Sequence, residues 1–84
     1  MAKVTVYTMQ YCPYCESAKK LLQSKGAAFE EIKLEMDDDA AWTRLEKQTG
    51  FKTMPQIFIA EKFIGGYNDL AALDRNGKLD ALLK

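Results

Sequence analysis

From Val4 to Thr8 the chain carries valine, threonine and tyrosine with no charged residue between them, a β-branched and aromatic run that predicts a buried first strand. Met9 to Tyr11 turns the chain. From Pro13 to Lys25 apolar positions recur at helical spacing, at Tyr14, Ala18, Leu21 and Leu22, and Gly26 is placed to stop the helix. Pro13 suits the first helical turn, where its missing N–H is harmless. Phe29, Ile32 and Leu34 mark a second strand over 29–34. Strand, helix and strand in this order predict a right-handed βαβ unit with parallel strands.

The second half reads differently. Asp37, Asp38 and Asp39 stand just before Ala40, where a carboxylate satisfies free N–H groups and complements the helix dipole, so the acidic run reads as a cap and not as a metal site. The helix it opens runs to about Thr49, burying Trp42 and Leu45, and Gly50 ends it. Pro55 opens a third strand from Gln56 to Ala60. Glu61-Lys62 is expected as a tight turn into a short fourth strand at Phe63-Ile64, closing a hairpin. Gly65-Gly66 breaks the pattern, Asn68 or Asp69 is expected to cap a third helix through Leu73, and Lys78 to Leu83 forms a last helical turn or two. No linker, repeat or low-complexity stretch interrupts residues 1–84, which are expected to form one domain.

Composition narrows the chemistry. Twelve Lys plus Arg balance twelve Asp plus Glu, without the basic excess that nucleic-acid binding usually requires, so no nucleic-acid partner is expected. Apolar runs such as Ile57 to Ala60 fall far below the ~18 residues of a membrane-spanning helix. Met1-Ala2-Lys3-Val4 leads straight into a strand pattern with no signal peptide to read, so the expected location is the reducing cytoplasm. There a close pair of cysteines points to catalysis or metal binding before a structural disulfide. The chain has no histidine, which removes Ser-His and Cys-His nucleophilic pairs, imidazole metal sites and imidazole proton shuttling.

The two cysteines form Cys12-Pro13-Tyr14-Cys15 between the first strand and the first helix. Cys12 falls at the helix N-cap, where free N–H groups and the positive end of the dipole stabilise a thiolate; Cys15 lies one turn inside and more covered. Cα atoms at i and i+3 of a helix start lie about 5 to 6 Å apart, within disulfide reach, so the pair can switch between dithiol and disulfide. Other readings compete. A zinc site needs two more Cys or His ligands, which only a second molecule could bring. A c-type haem needs His after the second cysteine, where Glu16 stands. Both cysteines could also be buried small hydrophobes.

Three motifs in order, Cys12-Pro13-Tyr14-Cys15, Thr53-Met54-Pro55 and Gly65-Gly66-Tyr67-Asn68-Asp69-Leu70, resemble those of dithiol glutaredoxins, and the resemblance spans Val4 to Leu83. It implies a thioredoxin-like α/β fold: a four-strand mixed sheet, βαβ then αββα, with helices on both faces. It also implies glutathione-dependent thiol-disulfide exchange with no permanently bound cofactor, glutathione as co-substrate, and glutathionylated or disulfide-bonded proteins as partners of a monomer. Cys12 would be the nucleophile and Cys15 the resolving thiol. The site would bind glutathione through Tyr14, Lys52, Thr53, Met54, Pro55, Gly66, Asn68 and Asp69. Within it, the Met54 main chain would pair with the cysteinyl amide beside a cis Pro55, Asn68 would lie near the α-carboxylate, and Asp69 would meet the α-amino group. No metal is expected.

The chain departs from that pattern at Met9, where many relatives carry lysine, and near Trp42, where a polar or basic contact is common. Lys52, Lys19 and Arg44 are the available substitutes, and Lys52 is the one assigned to the site. Glu16 adds negative charge close to the cysteines. Two other functions fit parts of the sequence: an iron-sulfur carrier built from two chains, which Pro13 disfavours, and an electron donor served by a flavoprotein reductase, which the Gly-Gly-x-Asn-Asp loop disfavours.

Overall fold

The computed structural model describes residues 2–84. Its elements run β1 (Val4–Met9), α1 (Pro13–Ser24), β2 (Glu30–Leu34), α2 (Asp39–Thr49), β3 (Gln56–Ile59), β4 (Lys62–Gly65), α3 (Tyr67–Arg75) and α4 (Leu79–Leu83). The four strands form one mixed sheet in the order β2-β1-β3-β4. β1 is parallel to β2, with Thr5 opposite Glu30 and Met9 opposite Leu34, and antiparallel to β3, with Val4 opposite Ile59 and Tyr7 opposite Gln56. β3 and β4 close the sheet as an antiparallel hairpin. The expected strand-helix-strand half, followed by a helix, a hairpin and helix, is the architecture found.

Period-2 alternation divides the core between the two faces of the sheet. Val4, Val6, Ile57 and Ile59 join Ala18 and Leu22 of α1, Leu70 of α3 and Leu79 and Leu83 of α4 in one buried cluster. Phe58 points the other way, into a second cluster with Leu45, Met54, Cys12 and Cys15, against which Tyr7, Met9, Trp42 and Phe63 pack. β3 is therefore buried on both faces along its whole length. β1 is covered more thoroughly on the Val4-Val6-Thr8 face than on the face of Tyr7 and Met9, so the fully buried strand expected from its sequence is buried on one side and half-buried on the other.

The punctuation of the chain follows ordinary cap chemistry. Asp38 is the N-cap of α2 and accepts the Ala41 N–H at 3.2 Å, and Gly50 ends that helix in the left-handed conformation with its N–H on Glu46 O at 2.7 Å. Several boundaries shift. β1 reaches Met9, β2 starts at Glu30 and α1 stops at Ser24. The hairpin turn is Ala60-Glu61, not Glu61-Lys62: Lys62 already pairs with Ile59, and both turn residues take positive φ, 53° and 66°. The third helix begins at Tyr67 and extends to Arg75, with Gly66 as its N-cap in place of Asn68 or Asp69. Trp42 is half-buried, while Leu45 is buried as expected.

Candidate active site

The turn from β1 into α1 places both sulfurs. Tyr11 takes a left-handed φ of 57°, the chain reverses, and Cys12 becomes the N-cap of α1 with Pro13 in the first turn. Cys12 and Cys15 are joined in a disulfide with Cα atoms 5.2 Å apart, and the Cys15 N–H points at Cys12 Sγ at 3.2 Å. That main-chain donor, with the helix dipole behind it, favours negative charge on Cys12 when the bond is reduced. Cys12 borders an open cleft; Cys15, 1% exposed, lies behind it and does not. Attack from solvent is thus possible at one sulfur, and the other is within reach only of its neighbour.

The cleft has a volume of about 700 Å³ and brings together three segments distant in sequence. Tyr14, Lys52, Thr53, Met54, Pro55, Gly66, Asn68 and Asp69 all line it with Cys12, so of the residues assigned from sequence Cys15 alone stands back from the surface. The Met54–Pro55 peptide is cis, as the resemblance implied. Tyr14, counted from its spacing among the apolar positions of the first helix, is instead 60% exposed, and its ring stacks on Tyr67 with centroids 6.1 Å apart. This pair closes one wall. Tyr67 and Phe51 were not assigned to the site from sequence; Phe51, an aromatic residue in the loop between α2 and β3, was the available signal, whereas nothing local marks Tyr67.

At the far end, Asp69 occupies the third position of α3 and its Oδ2 accepts the Gly66 N–H at 2.9 Å. Gly66 has no side chain with which to return the favour, so the next N–H groups of the helix receive no side-chain cap. A helix start left open in this way, on a concave surface, suits an anion. Gly65 is required twice: its φ is +126°, and a Cβ there would collide with the Asp69 carboxylate. Gly66 faces Pro55 O and the Phe51 ring across the cleft, where an added Cβ would make ordinary contacts at 3.5 and 3.7 Å.

Charge around the site is sparse. Lys52 is the one cationic side chain among the residues that line the cleft, and Met9 and Trp42 supply apolar surface there. The Trp42 indole is fixed by its N–H donating to Glu35 O at 2.8 Å. Glu16 does not act alone on the cysteines: Lys19 Nζ sits 2.9 Å from it and 3.2 Å from Glu31. These contacts raise the Lys19 pKa, the hydrogen bond to Glu16 most of all and burial opposing it. Arg44 lies on a separate depression along α2, with Asp39 and Lys47, and is not brought to the cleft.

A family profile described as glutaredoxin matches residues 4–64. Glutaredoxin 3 of Escherichia coli (strain K12) is 49% identical over 84 residues, covering 100% of both chains. Glutaredoxin of Pseudomonas aeruginosa is 48% identical over 83 residues, covering 99% of this chain and 98% of that one. Among solved structures, the buckwheat glutaredoxin–glutathione complex superposes with a TM-score of 0.90 at 37% identity, over 98% of this chain and 76% of that chain. Glutaredoxin from Brucella melitensis does so with 0.87 at 45% identity, over 100% and 90%.

Proposed function

The chain belongs to the glutaredoxin family, and from that premise we propose that it exchanges disulfides with glutathione through Cys12. The observation that carries this reading is the Cys12–Cys15 disulfide at the start of α1, opening by one sulfur only onto a cleft. Cys12 thiolate attacks the glutathione sulfur of a glutathionylated protein; the new bond joins Cys12 to glutathione, and the protein leaves as its thiolate. A second glutathione thiolate then attacks the glutathione sulfur of the adduct, releasing glutathione disulfide and returning Cys12 as thiolate. Toward a protein disulfide, Cys12 forms a mixed disulfide with the protein. Cys15 displaces the protein thiol by attacking Cys12, leaving the Cys12–Cys15 bond for two glutathiones to reduce.

The groups lining the cleft support the ligand placement that the family resemblance implies. The Met54 main chain takes the cysteinyl amide, holding the glutathione sulfur toward Cys12, with Thr53, Pro55 and Tyr14 flanking it. The open N–H groups at Tyr67 and Asn68 take the α-carboxylate, and Asp69 keeps one carboxylate oxygen for the α-ammonium while the other holds Gly66. Lys52 answers the glycyl carboxylate, which otherwise meets Met9 and Trp42. The protein works as a monomer in a reducing cytoplasm, without a resident cofactor, on disulfide-bonded and glutathionylated proteins. Mass spectrometry of the Cys15→Ser protein equilibrated with glutathione disulfide tests the reading: one glutathione on Cys12 is the expected result, and an unmodified chain refutes it.

A further inference from the structure

Two polar side chains sit in the buried core, Thr8 and Gln56, each 1% exposed, and Gln56 lies beside the cleft. It directly follows the cis Pro55, at the first position of β3. Its amide nitrogen donates to Phe51 O at 3.1 Å and to Thr53 O at 3.2 Å, and its amide oxygen accepts from the Thr49 hydroxyl at 2.8 Å. The Thr49 oxygen in turn accepts the Phe51 N–H at 3.1 Å. Among the described residues, the turn and loop hydrogen bonds of the Phe51 and Thr53 main chain all run to these two side chains and none to another main-chain group. This segment, from Phe51 to Pro55, forms one whole wall of the cleft.

We infer that Gln56 is a positioning residue for glutathione, acting through the main chain of 51–54 and never touching the ligand. Glutamine is the side chain that this role selects. Two carbonyls need two N–H donors on one planar group, and a buried carbonyl without a donor carries the desolvation penalty of an unmade hydrogen bond. Glutamate offers no such donor pair at neutral pH, and asparagine is one methylene short. Thr49, the last residue of α2, anchors the amide from the other side, so the helix end and the strand start clamp the loop between them. Cys12 is held independently, by the turn into α1, and makes no hydrogen bond to this clamp.

The inference rests on the proposed function, and the experiment separates the two. Gln56→Met keeps the length and volume of the side chain and removes both donors; Thr49→Val keeps its shape and releases the amide from α2. Steady-state kinetics with varied glutathionylated peptide and a fixed excess of glutathione should give a KM for the peptide roughly tenfold higher in Gln56→Met and a smaller rise in Thr49→Val. The double variant should cost less than the two single effects combined, because they share the Thr49–Gln56 bond, although Thr49 also holds the Phe51 N–H directly. The pH profile of iodoacetamide alkylation at Cys12 should stay as in the parent. If Gln56→Met does not fold, Thr49→Val decides alone. Parental KM in the folded variants, with only a lowered melting temperature, overturns the inference by reducing Gln56 to a core hydrogen bond. A parent that takes no glutathione from the peptide onto Cys12 instead overturns the proposed function.

Discussion

Cys12 and Cys15 differ by one helical turn and by which way each sulfur looks, and that difference separates their duties. Cys12→Ser should abolish every exchange reaction. Cys15→Ser should retain deglutathionylation of a peptide, because that cycle uses Cys12 alone, and lose dithiol reduction of a protein disulfide; equal inactivity of both variants toward the peptide would remove the distinction. Asp69 holds the Gly66 N–H and is proposed to meet the glutathione ammonium with the same carboxylate, and two substitutions divide these duties. Asp69→Ala removes both the Gly66 bond and the charge, so the KM for a glutathionylated peptide should rise roughly tenfold or more while the melting temperature falls. Asp69→Asn keeps an oxygen for the Gly66 N–H and loses the charge; a raised KM with a melting temperature near the parent's is the expected outcome. From the sequence this residue was visible as a cap or a ligand contact. What was not visible was that the cap is made backwards, to a glycine three positions earlier, since the extended backbone of Gly66 is set by its place after the sheet.

At the scale of elements, the sequence was most legible where one residue type answers one local demand. Asp38 and Gly50 bracket α2, and Pro13 and Gly26 bracket α1, because caps and stops are decided by nearest neighbours. The β3–β4 turn was misplaced by one residue because Ala60 and Glu61 are not turn formers: the strand register forces them into left-handed φ. A non-glycine residue there costs about 1 to 2 kcal/mol. Glu61→Gly should therefore raise stability by up to about 1 kcal/mol, the flexibility glycine adds to the unfolded chain offsetting part of the gain, and denaturant unfolding measures it. A different element contact governs acid stability. The buried Thr8 hydroxyl of β1 donates to Glu31 of β2 at 2.7 Å, and this bond is the leading cause that holds the Glu31 carboxyl below its ordinary value of 4.5, with Lys19 assisting and burial opposing. A depressed carboxylate pKa stabilises the fold above the unfolded value and loses that contribution as pH falls through the folded one. The melting temperature should thus drop below about pH 4.5, and Thr8→Val should shrink the part of the drop that belongs to Glu31.

Across the whole molecule, the site is a place where three distant segments meet, and this is the part that local patterns carried least. Periodicity identified the strands and helices, and the family resemblance identified the cleft residues; neither announced that Tyr14 leaves the core to stack on Tyr67, more than fifty positions away, or that Phe51 joins the wall. Those contacts depend on how α1 and α3 pack on the same face of the sheet, with Lys25 at the end of α1 paired to Asp74 and Asp80 to hold α3 and α4 in place. Glu16 likewise has partners that local sequence does not show, since Lys19 reaches both it and Glu31 of β2. The packing also has an optical side. Trp42 is the single tryptophan of the chain, its indole N–H is tied to Glu35 O, and its ring borders the cleft while resting on the cluster that contains both cysteines. The protein therefore carries one indole, fixed in orientation beside its own reaction centre, and its emission, excited apart from the four tyrosines, should report a filled cleft or an opened disulfide with no background from any second indole.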